Sequence, residues 1–137
     1  MEYKLFEKQD IQLMKYFVDD ENTKYDEAYL EEFLGEKNAF GYVAKEKDAI
    51  VGFAYGYVLF KPDGRRDFYL HAIDIMEGYQ RHGYGTGLMK YIVTHTKCIG
   101  CGKLFLITNK INNRLRIEKV LSRSFVYKKV KRSYAEI

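Results

Sequence analysis

Residues 79–87, YQRHGYGTG, constrain this chain more than any other stretch: glycine stands at every second position from Gly83 to Gly87, directly after Arg81 and His82. The preceding run over 68–76, FYLHAIDIM, is rich in aromatic and β-branched residues and predicts a strand. Leu88, Met89, Ile92 and Val93 then recur at helical spacing and predict a helix over 84–97. Strand, glycine-rich turn and helix start together form a general geometry for holding an anion, because the first N–H groups of a helix lack internal partners and carry partial positive charge. Two nucleotide-binding versions fail on spacing. The dinucleotide fingerprint needs G-x-G-x-x-G early in a parallel βαβ unit, and a P-loop needs G-K-[ST], whereas here Thr86 is followed by Gly87.

The rest of the chain builds an α/β pattern around this unit. A short strand at 3–6 is followed by Ile11, Leu13, Met14, Phe17 and Val18, then by Tyr29, Leu30, Phe33 and Leu34 before Gly35, predicting two short helices. Residues 39–45 and 49–60 flank the polar turn Glu46-Lys47-Asp48 as a hairpin, and Lys61-Pro62-Asp63-Gly64 makes the next reversal. A strand over 103–108, a poorer helix over 112–121 and a strand over 125–130 complete the order β, α, α, β, β, β, α, β, α, β. At 137 residues with 47% apolar composition, one domain spanning 1–137 is expected.

Several function classes are excluded or weakened. No run approaches the roughly 18 apolar residues of a membrane span, and MEYKLFEKQD lacks the basic and apolar regions of a signal peptide, so a cytoplasmic protein is expected. Cys98 and Cys101 form a single C-x-x-C without the further ligands of a zinc site, and two reduced thiols are the plainer reading. Net charge is +4 but unevenly spread: Asp19, Asp20, Glu21, Asp26, Glu27, Glu31 and Glu32 crowd the first quarter, while the last quarter is basic. No aromatic-basic signature or DNA-reading module points to nucleic acid.

The spacing Q-x-x-G-x-G, carried by Gln80, Gly83 and Gly85, resembles the acetyl-CoA signature of the GNAT superfamily of N-acetyltransferases, and the element order resembles it from about Leu30 to Asn109. The runs YLEEFL, AIVGFAYGYVL and FYLHAIDI look most like the aminoglycoside 3-N-acetyltransferases of the gentamicin-resistance type and their bacterial relatives. The resemblance implies a GNAT fold: a mixed, mostly antiparallel sheet flanked by helices, with the fourth and fifth strands splayed apart. It implies that the backbone of Arg81, His82, Gly83, Tyr84, Gly85 and Thr86, next to Gln80, holds the diphosphate of acetyl-CoA. The backbone of Ile73, Asp74, Ile75 and Met76 would pair with the pantetheine arm, and Asn109 would contact it. No metal is implied.

Acetyl transfer from a thioester to an amine requires a proton acceptor for the amine and a donor for the departing thiolate. Strict alternation along FYLHAIDI puts Tyr69, His71 and Ile73 on one face, with Leu70, Ala72 and Asp74 on the other. His71 is the candidate base, because a histidine side chain can accept a proton near neutral pH, and Tyr69 is its neighbour on that face; a hydrogen-bonded histidine beside the core is the plainer alternative. The aminoglycoside enzymes carry an acid where this chain has Ala72. Ile117 stands where the family's thiolate-protonating tyrosine is expected, SRSF replaces a Gly-Phe turn, and Tyr127 is the substitute candidate acid. The short C-terminal end leaves the sheet to be completed by a second copy, as a homodimer, or left open. The expected activity is acetyl-CoA-dependent N-acetylation of a small, polycationic amine such as an aminoglycoside or polyamine; the alternative is a GNAT fold that binds CoA without turnover.

Overall fold

The computed structural model describes residues 1–17 and 25–108, together with the backbone of Val126–Lys131. Asp19, Asp20, Glu21, Asn109, Ile117, the SRSF segment and the helix expected over 112–121 lie outside the described residues. Six strands form one sheet in the order β1 (Glu2–Leu5), β2 (Ala39–Glu46), β3 (Ala49–Phe60), β4 (Arg66–Ile75), β5 (Lys103–Thr108) and β6 (Val126–Lys131). The first four are antiparallel neighbours; β5 runs parallel to β4, and β6 parallel to β5. β6 covers the outer side of β5 along its whole length, from Lys103 opposite Val126 to Thr108 opposite Lys131.

Each face of the sheet carries its own core. Helix α2 (Tyr84–Cys98) lays Leu88, Met89, Ile92 and Val93 against Tyr42, Phe68, Leu70 and Leu104. On the opposite face a 3₁₀ helix, Lys8–Tyr16, and helix α1 (Glu27–Gly35) cover Val43, Ile50 and Phe53. The first of these segments is expected as an α-helix and is 3₁₀ instead. Ile11, Met14 and Phe17 follow at intervals of three, which eclipse in a 3₁₀ turn, and all three are buried. Asp10 anchors its start: fully buried, it accepts from the Glu7 N–H (2.9 Å) and pairs with Lys4 (3.2 Å) and Lys45 (3.3 Å). Burial alone would raise the Asp10 carboxyl, but the Glu7 N–H and the two lysines hold it below the ordinary value.

α1 also differs from expectation. Leu30, Phe33 and Leu34 turn toward the sheet, but Tyr29, expected to pack inward with them, is 72% exposed, one position off the i, i+3, i+4 stripe. Asp26 caps the helix by accepting from the Ala28 N–H at 2.8 Å. Among the described residues no helix is long and apolar enough to cross a membrane.

Candidate active site

The site begins with a defect in the β3–β4 pairing. Tyr55 lies opposite Ala72 and Gly56 opposite Leu70, so His71 is one residue too many on β4 and has no partner across the strands. Gly56 makes this bulge possible, since a Cβ there would collide with the Tyr69 carbonyl and the Phe68 ring. The extra residue reverses the parity of the strand. Before it, Phe68 and Leu70 point into the core beneath α2; after it, Ile73 and Ile75 do. Strict alternation therefore fails at this point, and Ile73 does not share a face with Tyr69 and His71. His71 instead faces the α1 side, its ring 5.2 Å from that of Tyr55. Asp74 stands on this same side, opposite Phe53.

His71 is exposed and its Nδ1 lies 2.9 Å from the Tyr69 hydroxyl. Tyr69 is held in turn by stacking on Phe105 of β5, with centroids 5.3 Å apart and planes 30° apart. That stack marks the last paired position of β4 and β5: pairing runs from Asp67 opposite Lys103 to Tyr69 opposite Phe105 and then stops. β4 continues to Ile75 and β5 to Thr108, so the two strands diverge from a vertex at the Tyr69–Phe105 stack. The bulge supplies the bend that separates them.

Along the open side of β4, alternate residues present their backbone groups. The Met76 N–H donates to the Val51 carbonyl at 2.9 Å, which by antiparallel alternation turns Asp74 toward Phe53 and leaves Ile73 and Ile75 facing the gap. Asp74 and Met76, expected to lend their backbone to this edge, are thus turned to β3. The Ile75 carbonyl is already occupied, accepting from Gln80 Nε2 at 2.8 Å. Gln80 therefore acts as a staple between the end of β4 and the glycine turn, a role its motif position did not disclose.

The three alternating glycines have three different physical reasons. Gly83 is the N-cap of α2 with φ +83°, a left-handed conformation shared by Arg81 at +66°. Gly87 makes room inside the protein: a Cβ there would fall on the phenol of Tyr3. Gly85 is the open one, since its Cβ would meet only Ile75 Cγ1 at 3.6 Å, an ordinary contact. The first bond inside the helix is Gly87 N–H to the Gly83 carbonyl at 3.0 Å, and Gly83 as N-cap offers no side chain to the N–H groups of Tyr84, Gly85 and Thr86 before it. The turn is thus a ring of backbone donors at the positive end of a 15-residue helix. His82 stacks flat on Tyr84, planes 8° apart, and its Nδ1–H donates to the Gln80 carbonyl at 2.8 Å. Burial, then the neighbouring Tyr84, raises the Tyr3 phenol, and a hydrogen bond to Glu46 raises that of Tyr79. Both stay neutral near pH 7 and add no negative charge beside the turn.

The glycine turn, the open edge of β4 and the Tyr69–His71 pair accordingly lie in sequence along one strand and its following turn. Tyr127 belongs to β6, its backbone opposite Leu104 and one residue short of the vertex. Reasoning on the sequence missed the bulge and the rings that lead up to the pair, Tyr55 against His71, Phe33 and Tyr57 against Tyr55, and Phe105 against Tyr69; the available signal for the bulge was Gly56, a glycine inside a strand pattern. Among the described residues no cluster of three or more His, Cys, Asp or Glu is placed to hold a metal.

A model of the acetyltransferase (GNAT) family matches residues 7–116. No curated protein sequence matches the chain. Solved structures do. An aminoglycoside acetyltransferase from an uncultured soil metagenomic sample, in complex with sisomicin, aligns with a TM-score of 0.70 at 20% identity, covering 91% of this chain and 86% of that one. A second aminoglycoside acetyltransferase of soil metagenomic origin aligns at 0.71 and 18% identity, covering 94% and 93%. The ribosomal-protein-alanine N-acetyltransferase of Brucella melitensis biovar Abortus 2308 aligns at 0.67 and 19% identity, covering 91% and 90%. At these identities the likeness is one of fold, whereas the family model covers most of the chain, and on that ground the protein belongs to the GNAT family of acetyltransferases.

Proposed function

We propose that the protein transfers an acetyl group from acetyl-CoA to a primary amine of a small, cationic acceptor, by direct attack in a ternary complex in the cytoplasm. The observation that carries this reading is the continuous path along β4: backbone donors at a glycine-capped helix start at one end, a histidine–tyrosine pair at the other, and between them a strand edge from which β5 has diverged. The residues fit the group. A diphosphate suits the N–H groups of Tyr84, Gly85 and Thr86, with the exposed guanidinium of Arg81 beside them. The pantetheine arm suits the backbone of Ile73 and the N–H of Ile75, with Asn109 as a further contact. Bound there, acetyl-CoA supplies an activated acyl thioester.

The Tyr69–His71 pair takes the proton of the attacking amine by one of two routes. With Nδ1–H donating to the Tyr69 oxygen, the imidazole Nε2 accepts the proton directly. With the Tyr69 hydroxyl donating to Nδ1, the phenol oxygen accepts from the amine as its own proton passes to Nδ1. Both routes end with His71 as imidazolium and Tyr69 as neutral phenol. Tyr127 is proposed as the proton donor that closes the reaction. The exposed Glu27, Glu31 and Glu32 of α1 and the aminoglycoside acetyltransferases among the structural relatives support a cationic acceptor.

A thiol-release assay with acetyl-CoA and a panel of amines tests the proposal. His71→Ala should lower turnover by roughly a hundredfold or more with acetyl-CoA affinity nearly unchanged. Equal rates in mutant and wild type at neutral pH would remove His71 from the mechanism, and tight CoA binding with no turnover across the panel would favour a binding module.

A further inference from the structure

We propose that the acceptor site selects an aromatic monoamine, held by a wall of rings that ends on the Tyr69–His71 pair. This inference rests on the acetyl-transfer reading and adds the class of acceptor. On the α1 face of the sheet the rings form an unbroken run: Phe33 meets Tyr55 at 5.8 Å and Tyr57 at 6.3 Å, Tyr55 meets Tyr57 at 6.2 Å and His71 at 5.2 Å, and His71 meets Tyr69 at 5.6 Å. Phe105 closes the run behind Tyr69 at 5.3 Å. Most of these contacts are edge-to-face, with interplanar angles of 77° to 89° for four of them. Neighbouring rings thus offer faces and edges in alternation, the arrangement in which a further ring adds favourably.

Their exposure gives them a use beyond packing. Tyr57 is 36% exposed, and Phe33, Tyr55, Tyr69 and Phe105 are each partly exposed rather than buried, so the wall is not a closed core. An amine that loses its proton at the Tyr69–His71 pair must place its nitrogen there and its carbon skeleton along the adjoining surface. That surface is aromatic over Tyr55, Tyr57 and Phe33, opposite Tyr69 through the direct Tyr57–Tyr69 cross-strand pairing. Ring faces attract a single ammonium through their quadrupole and stack on an aryl group. A polycation needs a spread of carboxylates to match its spread of charge, whereas the described side chains in ring contact with the Tyr69–His71 pair are aromatic and β4 adds one acid, Asp74, to this face.

The test compares 2-phenylethylamine, its saturated analogue 2-cyclohexylethylamine, spermidine and an aminoglycoside as acceptors, in wild type and in Tyr57→Leu and Phe33→Leu. The expected result is that kcat/KM for 2-phenylethylamine exceeds that for the cyclohexyl analogue about fivefold and that for spermidine by more, and that both variants erase the preference while keeping acetyl-CoA affinity. Turnover that favours spermidine or the aminoglycoside, or a ranking unmoved in both variants, overturns the aromatic assignment and leaves acetyl transfer standing. Should no amine turn over, acetyl transfer fails, and calorimetry of 2-phenylethylammonium with the CoA-bound protein decides the wall separately. Binding that is lost in Tyr57→Leu upholds it, and absence of binding to wild type overturns it.

Discussion

Gly85→Ala separates what the fold needs from what the ligand needs. A methyl group at Gly85 would meet only Ile75 Cγ1 at 3.6 Å, and the residue lies in the first turn of α2 with an ordinary helical backbone. Glycine in a helix is less stable than alanine by roughly 0.5–1 kcal/mol, with the first turn at the lower end. For a chain of this size that gain corresponds to a rise in Tm of about 2 °C. On the proposed reading of this turn, the same methyl would crowd a diphosphate held at the N–H groups of Tyr84 to Thr86. Losing one charge-assisted contact there costs roughly 1.5–3 kcal/mol, or about 10- to 100-fold in Kd for acetyl-CoA. The protein is thus expected to become more heat-stable and to bind more weakly, by differential scanning fluorimetry and isothermal titration calorimetry respectively. Gly87→Ala should do the reverse in stability, because its methyl collides with Tyr3. A Gly85→Ala protein that keeps its acetyl-CoA affinity within about twofold would refute the assignment of this turn to the diphosphate, and a fall in its Tm would refute the reading of open space.

Gln80→Leu should cost about 1 kcal/mol of stability through loss of the bond to the Ile75 carbonyl, and should raise the Kd for acetyl-CoA, since the turn is no longer tied to β4; chemical denaturation and calorimetry read the two effects. Gly56→Ala should cost about 1–3 kcal/mol and reduce turnover beyond what the lost stability explains, because the bulge that aims His71 cannot form around a Cβ; the urea midpoint and the rate of the residual folded protein test this. The Tyr42 hydroxyl and His95 Nδ1 share a hydrogen bond at 2.8 Å; burial drives the Tyr42 phenol far up and pushes the His95 imidazole below its ordinary value. The unfolded chain therefore takes up that proton first as pH falls, so this contribution to stability is complete above the unfolded pKa of about 6.5 and declines below it until the folded value is passed. A His95→Gln protein should lose that slope in Tm between pH 7.5 and 5.5, and an unchanged slope would assign it to other groups.

What was legible in the sequence follows from which interactions are local. The hairpins, the helix after the glycine turn and the strand at 103–108 are written in patterns of a few adjacent residues, and they stand where expected. The first helix is not, because the periodicity of Ile11, Met14 and Phe17 fits a three-residue repeat as well as a 3.6-residue one; the decision falls to Asp10 and two lysines, Lys4 and Lys45, from two different strands. The glycine turn was legible as a turn, but its three glycines looked equivalent. Only the partners brought by the fold, Tyr3 at Gly87 and Ile75 at Gly85, tell the structural glycine from the one left open.

Strict alternation fails at His71, where the candidate site begins. Had β4 kept its parity, Tyr69 and His71 would share a face with Ile73, and an apolar side chain would stand beside the pair. The bulge at His71 lets the strand serve both cores: Phe68 and Leu70 fill the α2 side before it, Ile73 and Ile75 fill the same side after it, and the displaced histidine is left on the other face among rings. Lacking a residue across the strands, His71 is positioned instead by the Tyr69 hydroxyl and the Tyr55 ring, side chains that can be exchanged without unmaking the sheet. The same defect bends β4 away from β5 beyond Tyr69 and Phe105, so the Tyr69–His71 pair and the gap beside it have a single structural cause. The placement of His71 is a consequence of one surplus residue opposite one glycine. A sequence pattern that assigns faces by counting cannot show it, while a glycine in the middle of the neighbouring strand is its only local trace.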